Sequence, residues 1–199
     1  MKNKLLIGIT GGIGSGKSLV CSYFKKLGCE IYYADEIAKK LYTYDIKLVR
    51  AISRKFGSEI LIGNKVSLQK LRSIVFKNQN NQKEVNRIVH PFVIEYILKK
   101  IKESKSSIIL IEAALIFESN FHNNLDYVIH VYSNKINRYN RLKKSGNMTG
   151  KRIQNIMNLQ MPELEKFKKA DFIIINNSTK IELKNKVKFL YNIFKRIRR

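Results

Sequence analysis

The sequence predicts an α/β fold, a parallel sheet flanked by helices, and three observations carry that expectation. Residues 4–10 form an apolar run bounded by glycines, the pattern of a strand buried on both faces. A glycine-rich turn follows directly, and Ser18 to Leu27 then places Leu19, Val20, Tyr23, Phe24 and Leu27 at helical spacing. Three later runs, Ser107–Ile111, Tyr127–Tyr132 and Phe172–Ile175, also read as buried strands.

Taken in order, Gly28 stops the first helix. Residues 29–34 read as a short second strand and Glu36–Tyr44 as a helix. The first 45 residues therefore run strand, turn, helix, strand, helix, the start of a doubly wound sheet. The stretch from about Asp45 to Ser104 is too long for one crossover helix. Part of it is expected to form an inserted helical subdomain on the sheet's rim, with Leu68–Phe76 and Val85–Ile101 as its best helices. Between Tyr132 and Phe172 two or three charged helices are expected, interrupted near Ser145–Gly150. The last helix runs from about Ile181 to Arg196. Ile181, Val187, Leu190, Ile193, Phe194 and Ile197 are expected to pack on the sheet beneath a solvated basic face.

Composition excludes several classes. With 199 residues and a 44% hydrophobic fraction, the chain can bury a real core as a single domain. Two cysteines, Cys21 and Cys29, build no disulfide framework and lack zinc-finger partners, so they read as reduced, buried thiols. No apolar stretch approaches the roughly 20 residues that span a bilayer, and no cleavage pattern follows the first apolar run. A cytoplasmic protein without a membrane partner is expected. The 39 Lys and Arg against 15 Asp and Glu give +24. Lys, Ile and Asn are heavy along the whole chain, as an AT-rich genome would produce, so the charge alone does not name a nucleic-acid partner. No stable one is expected.

The strongest chemical signal is Gly11-Gly12-Ile13-Gly14-Ser15-Gly16-Lys17-Ser18, followed by Leu19. It fits G-x-x-x-x-G-K-[ST], the phosphate loop of nucleoside triphosphate-binding proteins. Glycines let successive N–H groups turn toward phosphate oxygens, and the following helix aims its N-terminal dipole at the same anion. Lys17 is expected to reach the β- and γ-phosphates, and the Ser18 hydroxyl to be a Mg²⁺ ligand. ATP or GTP with Mg²⁺ is the expected ligand.

Carboxylates at strand ends are the next candidates. Asp35 follows Ile31-Tyr32-Tyr33-Ala34, and ligands of open α/β sheets lie beyond the carboxyl ends of strands. Asp35 could accept a proton from a hydroxyl attacking the γ-phosphate, or cap the helix beginning at Glu36; the two roles are compatible. Glu112 ends Ile108-Ile109-Leu110-Ile111 and could support Mg²⁺ through water, or be a partly exposed strand-end glutamate. Glu118 is a weaker candidate for the same rim. Tyr32 and Tyr33 alternate faces, so one is expected in the core and one near the rim. His122 and His130 show no partner in the sequence.

Several stretches, in chain order, resemble the dephospho-CoA kinase family. They are Ile9-Thr10 with the phosphate loop, Ala34-Asp35 with Ile37-Ala38, Ile74-Val75-Phe76, His90-Pro91, and Glu112 through Glu118. Gln160-Met161-Pro162 with Lys166, then Ala170-Asp171 and Asn176-Asn177-Ser178, complete the set. The resemblance implies transfer of the ATP γ-phosphate to the ribose 3′-hydroxyl of dephospho-CoA, giving CoA and ADP. It implies that Asp35 is the base and a substrate contact, that Gly11–Leu19 hold ATP with Mg²⁺, and that Arg141 is a lid arginine facing phosphate charge. It also implies a CoA-binding subdomain at about 57–105, a lid at about 134–161, and a structural or substrate-facing His90. A monomer is expected, with assembly left open. Three positions depart from the family's pattern. Tyr33 stands where many members have aspartate, Ser145 where a second lid arginine is common with Lys144 adjacent, and Ala114 where proline is frequent.

Other readings fit less of the chain. A nucleoside or nucleotide kinase does not account for Ala34-Asp35 or Gln160-Met161-Pro162. A GTPase lacks its guanine-reading Asn-Lys-x-Asp, since Ile136-Asn137 follows Asn134-Lys135. A basic nucleic-acid-dependent ATPase would show strong salt-dependent binding to DNA or RNA.

Overall fold

Leu5–Thr10 is β1, with Leu5, Ile7 and Ile9 buried and Leu6 half-buried. The computed structural model describes residues 4–75, 79–145, 150, 153–154, 157 and 160–197. β1 pairs in parallel with β5 (Ile108–Glu112) on one edge and β6 (Tyr127–Tyr132) on the other. β6 pairs in parallel with β7 (Phe172–Ile175), and β2 (Glu30–Tyr33) flanks β5, giving the five-stranded order β2-β5-β1-β6-β7. The register sets Ile9 beside Glu112 and Ile129, and Thr10 beside His130.

The fold class predicted from the buried runs is the one observed. Strand β5 extends one residue past the expected Ile111, so Glu112 is its last residue and is buried. The reading of Glu112 as a partly exposed strand-end residue is corrected accordingly. Chain contacts divide the protein into two units, Met1–Tyr32 with Lys105–Arg199, and Tyr33–Ser104.

In the first unit, helix α1 (Lys17–Lys26) buries Val20, Cys21 and Phe24. The C-terminal helix, Lys180–Ile197, packs on α1 and buries Leu183, Val187, Leu190 and Phe194. Phe194 meets Phe172 edge-on at 5.2 Å and lies 6.4 Å from Phe24. Burying such a ring contributes roughly 1.5–3 kcal/mol. Ile181 and Ile197, expected in this interface, are 74% and 46% exposed. The buried stripe is 183-187-190-194, and Ile181 lies two residues out of phase with it, on the opposite side of the helix. Cys21 and Cys29 are free and buried, and burial pushes the Cys29 thiol up to about 12. Such thiols are unreactive at neutral pH.

The second unit is helical. α2 (Ala34–Tyr44) starts directly after β2, with Tyr33 as its N-cap residue. α3 (Ile46–Phe56) is capped by Asp45, whose Oδ1 accepts from the Leu48 N–H at 2.9 Å. A short hairpin, β3 (Leu61–Ile62) and β4 (Lys65–Val66), precedes α4 (Leu68–Val75) and the long α5 (Gln79–Glu103). α5 runs through Pro91. Ile37, Leu41, Leu48, Ile52, Ile97 and Ile101 form the middle of this unit's core. Phe76 of the expected Leu68–Phe76 helix lies outside the described residues. Among the described residues no helix is long and apolar enough to cross a membrane.

Candidate active site

The loop after β1 is a cradle whose outer wall is built from the far end of the chain. α1 begins at Lys17, and among the described residues no side chain caps its N-terminus. The Leu19 and Val20 N–H groups both turn back to Gly16 O at 3.1 Å, so the Lys17 and Ser18 N–H groups at the helix start carry the partial positive charge of its N-terminus. Gly16 precedes them at φ 98°, and a Cβ there would run into Asn176 Nδ2.

The loop carbonyls are pulled outward. Ile13 O accepts from Arg138 Nε at 2.9 Å. Ser15 O accepts from Asn176 Nδ2 at 2.7 Å and from Arg141 Nη1 at 3.2 Å, and Gly14 O also accepts from Arg141 Nη1 at 3.3 Å. In a trans peptide the C=O and the next N–H point in opposite directions. Anchoring the Ile13 and Ser15 carbonyls outward thus turns the Gly14 and Gly16 N–H groups inward. Gln160 Oε1 takes the Ile13 N–H at 3.0 Å, and Ser15 N–H closes a turn onto Gly12 O at 3.1 Å. Ser15 Oγ is buried in the loop and, among the described residues, has no hydrogen-bond partner. An orphaned hydroxyl in a cradle of donors is suited to an anion that brings its own oxygens.

Lys17 Nζ donates to Gly11 O at 3.1 Å and lies 3.7 Å from Glu112 Oε1. Ser18 is exposed at the start of α1. Ser18 Oγ and the Glu112 carboxylate are hard oxygen donors. They fit a Mg²⁺ ion that is otherwise held by phosphates and water. Among the described residues, no group of three or more His, Cys, Asp or Glu could hold a metal by itself.

A buried polar cluster lies behind the loop and was not legible as such. Helix α6 (Lys135–Lys144) supplies Arg138 and Arg141, and α7 (Glu163–Lys169) supplies Glu163 and Lys166. Arg138 Nη1 donates to Glu163 Oε1 at 2.6 Å, and Glu163 Oε2 lies 2.9 Å from His130 Nε2. Burial raises the Glu163 carboxyl, but the adjoining His130 ring and the Arg138 charge outweigh it and hold the group below the usual range. Glu118 Oε1 accepts from the Met161 N–H at 2.9 Å. His130, without a partner in the sequence reading, thus has Glu163 as its acidic neighbour. The signal that could have found it is the strand register, which places His130 beside the last residue before the loop.

Arg141, expected to face phosphate, spends Nη1 on Gly14 O, Ser15 O and Ser133 Oγ, and Nη2 on Asn176 O at 2.8 Å. Much of the expected 134–161 segment, including residues 146–149, 151–152, 155–156 and 158–159, lies outside the described residues.

In the second unit, Asp35 is exposed in the first turn of α2, one residue after the helix begins. It is not the cap; that position belongs to Tyr33, because the helix starts two residues earlier than Glu36. An acid in the first turn still favours the helix dipole. Tyr32 and Tyr33 are both half-buried rather than divided between core and rim, and Tyr32 Oη donates to Glu30 Oε1 at 2.6 Å. His90 is half-buried on α5.

A parallel sheet whose central strand runs into this loop, with Lys17 and Ser18 opening the next helix, defines a P-loop kinase. The dephospho-CoA kinase family model (CoaE) matches residues 5–182. A dephospho-CoA kinase of Chlorobium chlorochromatii is 34% identical over 198 residues, covering 96% of this chain and 93% of the relative. A crystal structure of a Thermus thermophilus protein, TT1252, superposes with a TM-score of 0.81 at 25% identity, covering 96% of this chain and 98% of that one. The dephospho-CoA kinase from Campylobacter jejuni superposes with a TM-score of 0.69 at 26% identity, covering 96% of each chain. The chain belongs to the dephospho-CoA kinase family.

Proposed function

We propose that the chain transfers the γ-phosphate of ATP to the ribose 3′-hydroxyl of dephospho-CoA, giving CoA and ADP, the final step of CoA biosynthesis. One observation carries the reading. Gln160 and Asn176, from the stretches that resemble the family's C-terminal signature, bond to loop residues 147 and 161 positions away in the chain. These separate stretches thus act on one phosphate cradle.

The Gly14 and Gly16 N–H groups, the α1 N-terminus and Lys17 bind the β- and γ-phosphates. Ser18, with Glu112 through water, would hold Mg²⁺, which supplies charge neutralisation to those phosphates when bound. Asp35 accepts the hydroxyl proton. The hydroxyl oxygen bonds to the γ-phosphorus as the bond to the β–γ bridging oxygen breaks, and ADP leaves with that electron pair. Arg141 holds the loop open to phosphate through the Gly14 and Ser15 carbonyls. Residues about 57–105, with His90, contact the CoA moiety, and about 134–161 act as a lid whose closure excludes water. The protein works in the cytoplasm as a monomer on these two substrates, without a nucleic-acid or membrane partner.

Asp35→Asn tests the assignment of the base. ATP binding is expected to survive while phosphoryl transfer falls about 10²–10⁴-fold, the range for a positioned base. Near-normal turnover in the folded variant would remove Asp35 from the chemistry.

A further inference from the structure

Lys166 is fully buried on α7, although lysine is among the residues least often found so. Among the described residues its Nζ finds no hydrogen-bond acceptor. An ammonium carries three donors, and leaving them unmet in an apolar setting is costly. The nearest recorded carboxylate oxygen, Glu118 Oε1, is 4.0 Å away and already accepts from the Met161 N–H. Glu163, one turn earlier, gives Oε1 to Arg138 and faces His130 with Oε2. Glu118 Oε1 and Glu163 Oε1 are thus engaged elsewhere, and Glu163 Oε2 makes no hydrogen bond to the ammonium.

Cations as well as these two acids surround it. Arg138 grips the loop at Ile13 O, and Lys17 lies across the same loop. Burial, opposed by Glu118 and Glu163 and reinforced by Lys17 and Arg138, holds the Lys166 ammonium below the ordinary lysine value. A methionine would fill the same space without a buried charge. The chain instead keeps a cation beside a phosphate cradle, with no hydrogen bond to it among the described residues.

We infer that Lys166 is a further catalytic residue, a buried ammonium that exchanges its long contact with Glu118 for oxygens of the transferring phosphoryl group. The inference rests on the phosphoryl-transfer reading above. Negative charge spread over the three equatorial oxygens of that group supplies what Glu118 does not. The long lysine stem lets the ammonium swing toward it while Gln160 and Glu118 hold the start of α7 in place. Lys17 holds the phosphates from the start of α1, and Lys166 engages them from α7.

The test uses the full chain, with Lys166→Met and Lys166→Arg beside the wild type. Melting temperature, ATP dissociation constant and single-turnover transfer to dephospho-CoA are measured for each. Lys166→Met is expected to melt no lower than wild type and to bind ATP within about threefold, yet to transfer phosphate about 10²-fold more slowly, as loss of a charge-stabilising donor does. Lys166→Arg is expected to recover part of that rate. A folded Lys166→Met protein with near-wild-type transfer would overturn the inference, as would a rate loss matched by a lower melting temperature and not relieved by arginine. Should Lys166→Met fail to fold, the wild-type lysine ammonium ¹⁵N signal is followed on adding Mg-ADP, fluoroaluminate and dephospho-CoA. A shifted Lys166 signal supports the contact, and an unmoved one refutes it. A wild type that transfers nothing to dephospho-CoA would fail the underlying reading, an outcome separate from these.

Discussion

Replacing Asn176 tests whether the outward pull on the loop carbonyls shapes the cradle. Asn176 is 6% exposed, and its Nδ2 donates to Ser15 O at 2.7 Å. Asn176→Ala removes that bond but leaves Arg141 Nη1 on the same carbonyl at 3.2 Å. A buried acceptor that keeps one partner and loses another costs about 1–2 kcal/mol. For a chain of this size that is a fall in melting temperature of about 2–8 °C. The peptide that carries Ser15 O also carries the Gly16 N–H, so a loosened carbonyl is a loosened phosphate donor. ATP affinity is expected to fall about tenfold, equivalent to about 1.4 kcal/mol. Asn176→Asp sharpens the comparison, because it keeps the shape and replaces the donor with a carboxylate facing the Ser15 carbonyl. It should be worse than alanine in both stability and ATP binding. Thermal melts and nucleotide titration of the three proteins decide it. An aspartate variant equal to wild type, or an alanine variant with unchanged melting and ATP affinity, would refute the carbonyl-anchoring argument.

The Glu163 carboxyl has a folded value below its ordinary one, so its contribution to stability is complete above the ordinary glutamate range and is lost as pH falls through the depressed value. The stability gap between wild type and Glu163→Gln is therefore expected to be widest near about pH 6 and to narrow toward about pH 3; urea midpoints at the two pH values check it, and a constant gap contradicts it. Gly12→Ala would place a Cβ against the Arg138 guanidinium and 2.6 Å from Glu163 Oε1. Weaker ATP binding is expected without loss of the fold, and an unchanged ATP dissociation constant would show that the Arg138 brace does not matter to the loop.

What was legible in the sequence were features with a local cause. Buried parallel strands are continuous apolar runs, so β1, β5, β6 and β7 stand out within a residue of their ends. The phosphate loop announces itself because backbone conformation and chemistry demand its glycines and lysine together. The start of α2 did not stand out, since Asp35 resembles a cap and nothing in Tyr33-Ala34 marks the boundary. Arg138 and Glu163 were equally hidden, and Lys166 was found by resemblance but not as a buried residue. They lie on short helices whose charges look like a solvated face. The burial of Arg138 and Lys166, and the half-burial of Glu163, arise only when α6 and α7 meet the loop and β6. Arg141 was found by resemblance, but its hold on the Gly14 and Ser15 carbonyls is a tertiary fact that no spacing encodes.

The most direct test of the account is ADP formation by the purified protein with Mg-ATP, with and without dephospho-CoA, followed by mass analysis of the product. The account predicts ADP release that depends on dephospho-CoA, together with a product heavier by one phosphate. Protein that binds ATP but releases ADP equally without dephospho-CoA, or yields no phosphorylated product, would contradict it.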